Sequence, residues 1–141
     1  MRVRTRAREL ALQFLYMMDV QGPEYRERLD AFLRDELEGK PGSDEASAYA
    51  KKLIDGTTTN RPAVDALLDE AARNWDLSRM AVIDRNVLRL GCYEMLHEPD
   101  VPTKVAINEA IELGKRFSTE QSGGFINGIL DRIRKDRGLA V

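Results

Sequence analysis

Cysteine, histidine and tryptophan each occur once in this 141-residue chain. A lone Cys92 cannot close a disulfide within the chain, and Cys92 with His97 leaves a structural zinc cage two ligands short. Cys92 reads as a small buried hydrophobe rather than a reactive thiol. No run approaches the ~18 consecutive apolar residues of a membrane helix, and the first residues carry positive charge without a signal-type cleavage region. The expected location is cytoplasmic. Phosphate-binding and catalytic signatures are missing too: no segment matches G-x-x-x-x-G-K-[ST], H-E-x-x-H or G-x-S-x-G. The glycine cluster Ser122-Gly123-Gly124 stands at a helix start with no strand before it. Carboxylates abound at 33% charged residues, but pairs then arise on solvated faces, and Glu112 with Arg116 is a helical i,i+4 pair. The chain is therefore expected to be no enzyme, with no catalytic residue, metal or cofactor.

Arginine is present, and its placement is uneven. Arg2, Arg4, Arg6 and Arg8 alternate at the start, against the single Glu9 in the first sixteen residues, whereas residues 24–38 hold six acids and three arginines. The net charge of −2 conceals this polarity. Clustered guanidinium groups on a structured element hold a phosphate backbone; a disordered basic end that aids solubility is the other reading. In a helix, Arg4 and Arg8 share one face and Arg2 and Arg6 another; in an extended arm all four point the same way.

Apolar spacing is helical throughout. Leu10, Phe14 and Met17 with Ala7, Ala11, Leu15 and Met18 form a first helix that stops at Gln21-Gly22-Pro23. Tyr25, Leu29, Phe32, Leu33 and Leu37 form a second, broken by Gly39–Gly42. Ser43 is the expected N-cap of a third, with Asp44 and Glu45 in its first turn and Tyr49, Leu53 and Ile54 inward. After Asn60-Arg61-Pro62, Val64, Leu67, Leu68, Ala71 and Trp75 make one stripe. Trp75 is expected in the core where two bundles join. Ser78–His97 is apolar on most sides and should be the most buried helix. Beyond Glu98–Pro102, Ala106, Ala110, Leu113, Gly114 and Phe117 line a sixth helix, and Ser118 with Gln121 fits a capping box before a seventh packed by Phe125, Ile126, Ile129, Leu130 and Ile133. About seven helices with short loops and no fixed repeat predict an all-α bundle fold.

Within the central helix, Arg85, Arg89 and Tyr93 fall at i, i+4 and i+8. Arginine with tyrosine suits single-stranded RNA, whose bases stack on flat side chains while phosphates take the charge. A solvent-facing stripe with Tyr93 half-buried is the alternative, and taken alone the favoured one.

Two segments resemble a known family. Val87-Leu88-Arg89-Leu90, Tyr93-Glu94, Val101-Pro102, Lys104 to Leu113 (KVAINEAIEL) and Phe125 to Asp131 (FINGILD) are similar to the C-terminal half of the NusB transcription antitermination factors. Ala7 to Tyr16 (ARELALQFLY) resembles that family's N-terminal motif, so the likeness runs through most of the chain; residues 22–60 contribute little. The resemblance implies one domain made of two small side-by-side helical bundles, about 1–74 and 75–138. It implies binding of single-stranded boxA RNA of ribosomal RNA operons together with the ribosomal protein NusE, within an elongation complex holding other Nus factors. By matched position, Arg4, Arg6, Arg8 and Tyr16 would face RNA, Arg89, Lys104 and Phe125 would add to that surface, and Asp84 would face NusE. Asn108 and Glu109 lie in the most recognisable segment, with a structural role favoured, and Gly114, Gly124 and Gly128 suit close helix contact. The chain departs from the pattern at Val3 and Thr5, which interrupt the arginines, and at Gln121, where some relatives have an aspartate.

Two other functions fit the same residues. One is a helical RNA-recruitment domain like that preceding the catalytic domain of certain ribosomal RNA methyltransferases, although no methyl-donor-binding strand and glycine loop follows here. The other is a homodimer paired through an apolar face, with RNA binding secondary.

Overall fold

A computed structural model describes residues 2–73 and 76–140. Among them are seven α-helices and no strand: α1 (Val3–Gln21), α2 (Leu29–Leu37), α3 (Ser43–Thr59), α4 (Arg61–Ala72), α5 (Val82–His97), α6 (Thr103–Phe117) and α7 (Glu120–Asp136). Short 3₁₀ helices, Pro23–Arg28 and Leu77–Arg79, precede α2 and α5. The expected all-α fold is observed. Trp75, expected in the core, lies outside the described residues.

The chain forms two compact units, Met1–Gly56 and Thr57–Val141. The division falls inside α3, whereas the sequence places its boundary near 74. In the first unit α1 ends where Gly22 turns to φ +109° and its N–H caps the Met18 carbonyl at 2.9 Å; only glycine adopts such a φ without strain. Pro23 then starts the 3₁₀ turn, which brings Tyr25 back so that its ring and that of Phe32 each lie 5.3 Å from the fully buried Phe14 ring. Burying a phenylalanine contributes about 1.5–3 kcal/mol, and tilted ring pairs add to it. Ion pairs Arg26–Asp55 (2.7 Å) and Lys51–Asp30 (2.7 Å) cross from the 3₁₀ turn and α2 to α3.

In the second unit α5 packs against α4, α6 and α7, and ten consecutive residues, Asn86–Met95, are buried. It is the expected central helix. Gly91 makes this possible: a Cβ there would sit 2.9 Å from the Ala110 Cβ and 3.0 Å from Leu130. Gly114 is closed in the same way by the Ile126 Cδ1. Gly124 and Gly128, by contrast, are exposed, and a methyl at either position would have no neighbour within 4 Å, so the expected close helix contact holds for Gly114 alone of the three. The capping box of α7 is Thr119 with Ser122, not Ser118 with Gln121: Thr119 accepts from the Ser122 N–H at 3.3 Å, because Ser118 still terminates α6 through its N–H to Gly114.

Candidate nucleic-acid interface

The arginine arm is helical from Val3, so alternate positions divide between faces. Arg4 and Arg8 share one face, with guanidinium carbons 4.4 and 5.7 Å from the centroid of the Tyr49 ring on α3. Such contacts are held by the negative ring face. Arg6 points elsewhere: its Nη1 lies 3.3 Å from Glu9 and its Nη2 3.1 Å from Glu36 on α2. Arg2 is exposed and Arg4 half-buried, while Arg8 is 4% exposed. Arg8, expected to face RNA, is thus enclosed within the first unit. Further along α1, Tyr16 is 36% and Val20 55% exposed, two large apolar side chains four residues apart on one face.

The second unit presents Lys104, exposed in the first turn of α6, and Phe125, half-buried near the start of α7. Arg89 is not presented. It is 5% exposed, and its Nε and Nη2 donate to the two Asp65 oxygens on α4 at 2.8 and 3.1 Å while Nη1 donates to Asn86 Oδ1 at 3.4 Å. A guanidinium so engaged acts as a structural fork within the second unit. Tyr93 follows it inward and donates its hydroxyl to Glu98 Oε2 at 2.7 Å. Burial, and then the Glu98 carboxylate, hold its phenol well above the usual range. The stripe of Arg85, Arg89 and Tyr93 is therefore turned inward beyond Arg85, which is half-buried and reaches the Ser78 carbonyl at 3.4 Å.

Asp84 lies in the first turn of α5, half-buried, where the helix dipole favours a carboxylate. Its Oδ1 is buried and has no hydrogen-bond partner among the described residues. Asn108 is exposed on α6 and Glu109 half-buried. Among the described residues no cluster of three His, Cys, Asp or Glu side chains could hold a metal ion, and burial pushes the Cys92 thiol up to about 12. No helix among them is long and apolar enough to cross a membrane.

Sequence reasoning missed Tyr49, Glu36 and Asp65, the partners that sort the arginines. The acidic excess of residues 24–38 was the available signal for Glu36. Nothing local marks the other two.

The sequence model of the NusB family matches residues 5–135. The chain belongs to the NusB family. It is 42% identical to the transcription antitermination protein NusB of Myxococcus xanthus (strain DK1622) over 133 residues, covering 94% of this chain and 95% of that one. Among solved structures, T. maritima NusB superposes with a TM-score of 0.82 at 38% identity, covering 94% and 91% of the two chains. A crystal structure of the antitermination factors NusB and NusE in complex with dsRNA matches with a TM-score of 0.84 at 27% identity, covering 96% and 98%. The NusB-family match includes Arg6, Tyr16, Asp84, Lys104 and Phe125 and begins after Arg4.

Proposed function

We propose that this NusB-family chain is a non-enzymatic transcription antitermination factor, acting in the cytoplasm, that binds boxA-type single-stranded RNA of ribosomal RNA operons together with NusE. The observation that carries the proposal is the family match over residues 5–135, reinforced by a 42% identical antitermination protein that aligns over nearly its whole length. Supporting it, the first unit keeps Arg2, just before α1, and Arg4, Arg6 and Tyr16 on it at least partly exposed. In the second unit Lys104 and Phe125 supply a cation and an aromatic ring of the kind RNA recognition uses. Asp84 is the residue proposed for NusE, since a protein that also meets RNA is basic and a half-buried carboxylate suits a cationic side chain.

The test is retention of purified NusE and boxA-type RNA by the immobilised protein, singly and together, with scrambled and double-stranded RNA as separate arms. The double-stranded arm matters because the matched complex contains dsRNA. Single-stranded boxA and NusE together should be retained better than either alone. If about four cations meet phosphates, log K should fall by roughly three units per tenfold rise in salt. Asp84→Lys should weaken NusE and leave RNA binding by the free protein equal or slightly stronger. Equal retention of scrambled RNA would remove boxA from the proposal, and unchanged NusE affinity in the folded lysine variant would remove Asp84.

A further inference from the structure

Arg6 meets two carboxylates among the described residues, and they differ in burial. Glu9, one turn further along α1, lies 3.3 Å from Nη1 and is 2% exposed, so it belongs to the interior of the first unit. Glu36 comes from α2, thirty positions on, and lies 3.1 Å from Nη2. Leu29, Leu33 and Leu37 bury one side of α2, whereas Arg34, Asp35 and Glu38 are exposed. Glu36 stands at the edge of the buried side. That position turns it toward α1, while the adjacent Asp35 faces water.

The Arg6 and Glu36 side chains are 27% and 39% exposed. Water reaches both partners, and an ion pair of that kind contributes little to stability. A phosphate can therefore compete for Arg6, because guanidinium bonds to phosphate are charge-assisted and can be bidentate. Until one does, the Glu36 carboxylate occupies the guanidinium and repels an approaching phosphate.

We infer that Glu36 limits the RNA affinity of this chain by competing with phosphate for Arg6. This role rests on the RNA-binding reading above and adds the acid that restrains it. RNA binding exchanges the partner of Nη2, and the Nη1 contact with Glu9 stays in place.

In fluorescence anisotropy with the full-length protein and labelled boxA-type RNA, Glu36→Gln should bind about two- to fivefold more tightly than Asp35→Asn. Each variant removes one negative charge from neighbouring positions of α2, but only the first releases Arg6, so the comparison takes out the general field of the acids. Arg6→Ala should weaken RNA binding, and in that background Glu36→Gln should bind no better than Asp35→Asn. The melting temperature of Glu36→Gln should stay within about 3 °C of wild type. A pair that only ties α2 to α1 predicts the reverse, a clearly lower melting temperature with RNA affinity no better than that of Asp35→Asn. That result overturns the role of Glu36, as does a gain from Glu36→Gln that survives Arg6→Ala. Wild-type RNA binding that does not weaken with salt overturns the RNA reading itself, and the role of Glu36 with it.

Discussion

Removing the carboxylate of Asp65 should damage the protein more than removing the guanidinium it holds. The Arg89 side chain is 6% exposed and that of Asp65 24%, so the two partners face unequal alternatives when the pair is broken. Asp65→Ala strands a cation inside the second unit and deletes charge-assisted bonds of 2.8 and 3.1 Å. Breaking a buried pair costs about 3–5 kcal/mol. The partial exposure at Asp65, and the Asn86 oxygen that still lies 3.4 Å from Nη1, place the expected loss at the lower end, about 3 kcal/mol. Arg89→Met instead leaves a carboxylate that water can reach and that remains 3.4 Å from Arg61, while methionine refills the interior; about 1 kcal/mol is expected. With an unfolding entropy near 0.3 kcal/mol/K for a chain this long, the melting temperature should drop by about 10 °C in the first variant and about 3 °C in the second.

The same variants decide whether Arg89 touches RNA. A phosphate ligand released from Asp65 should bind RNA more tightly, and Arg89→Met should then flatten the salt slope by about 0.7. A structural fork predicts RNA affinity within twofold of wild type for both folded variants. Thermal melts followed by circular dichroism at pH 7, paired with fluorescence anisotropy on labelled boxA RNA, read both quantities. Tighter RNA binding by Asp65→Ala with an unchanged melt would sink the structural assignment.

The glycines predict opposite signs within one bundle: Gly114→Ala should destabilise by about 1–3 kcal/mol because its methyl meets the fully buried Ile126 side chain, whereas Gly124→Ala and Gly128→Ala, in open space on a helix, should each stabilise by about 0.4–1 kcal/mol in denaturant melts. Tyr16→Leu should weaken RNA binding by ~1–3 kcal/mol with little change in salt slope if the exposed ring stacks on a base; a lower melting temperature with unaltered RNA affinity would make it a packing residue. Cys92, buried with its thiol pushed up to about 12, should resist disulfide-exchange reagents at pH 8 in the native protein and react fully in denaturant; fast native labelling would contradict its burial.

Much of the architecture is legible in the sequence because helical periodicity and its interruptions are local. Gly22, Gly39 to Gly42 and Glu98 to Pro102 all separate helices in the structure, and Asn60 divides α3 from an α4 that starts at Arg61-Pro62. The local signals fail where neighbouring residues share a chemistry. Ser118 and Thr119 can both cap a helix, and only the backbone shows that Ser118 still closes α6. Likewise, the lead-in to α5 reads as helix from Ser78, but Asp76 caps a 3₁₀ turn there and α5 begins at Val82.

The site is legible to a different extent, for a physical reason. Spacing shows which residues share a helix face; it does not show what that face meets. Arg85, Arg89 and Tyr93 share a face, yet Asp65, twenty-four positions before Arg89, takes that arginine inward. Arg4 and Arg8 also share a face, and Tyr49 lies over forty positions beyond them. Long-range partners thus decide which cations stay at the surface, and two of those partners, Glu36 and Tyr49, lie outside the segments on which the sequence resemblance rests. The motif supplies the charges, while Glu36 and Tyr49, from the segment between α1 and α4, set the surroundings of Arg6, Arg4 and Arg8. Variation in that segment should therefore alter RNA affinity among NusB-family chains whose arginine positions are identical.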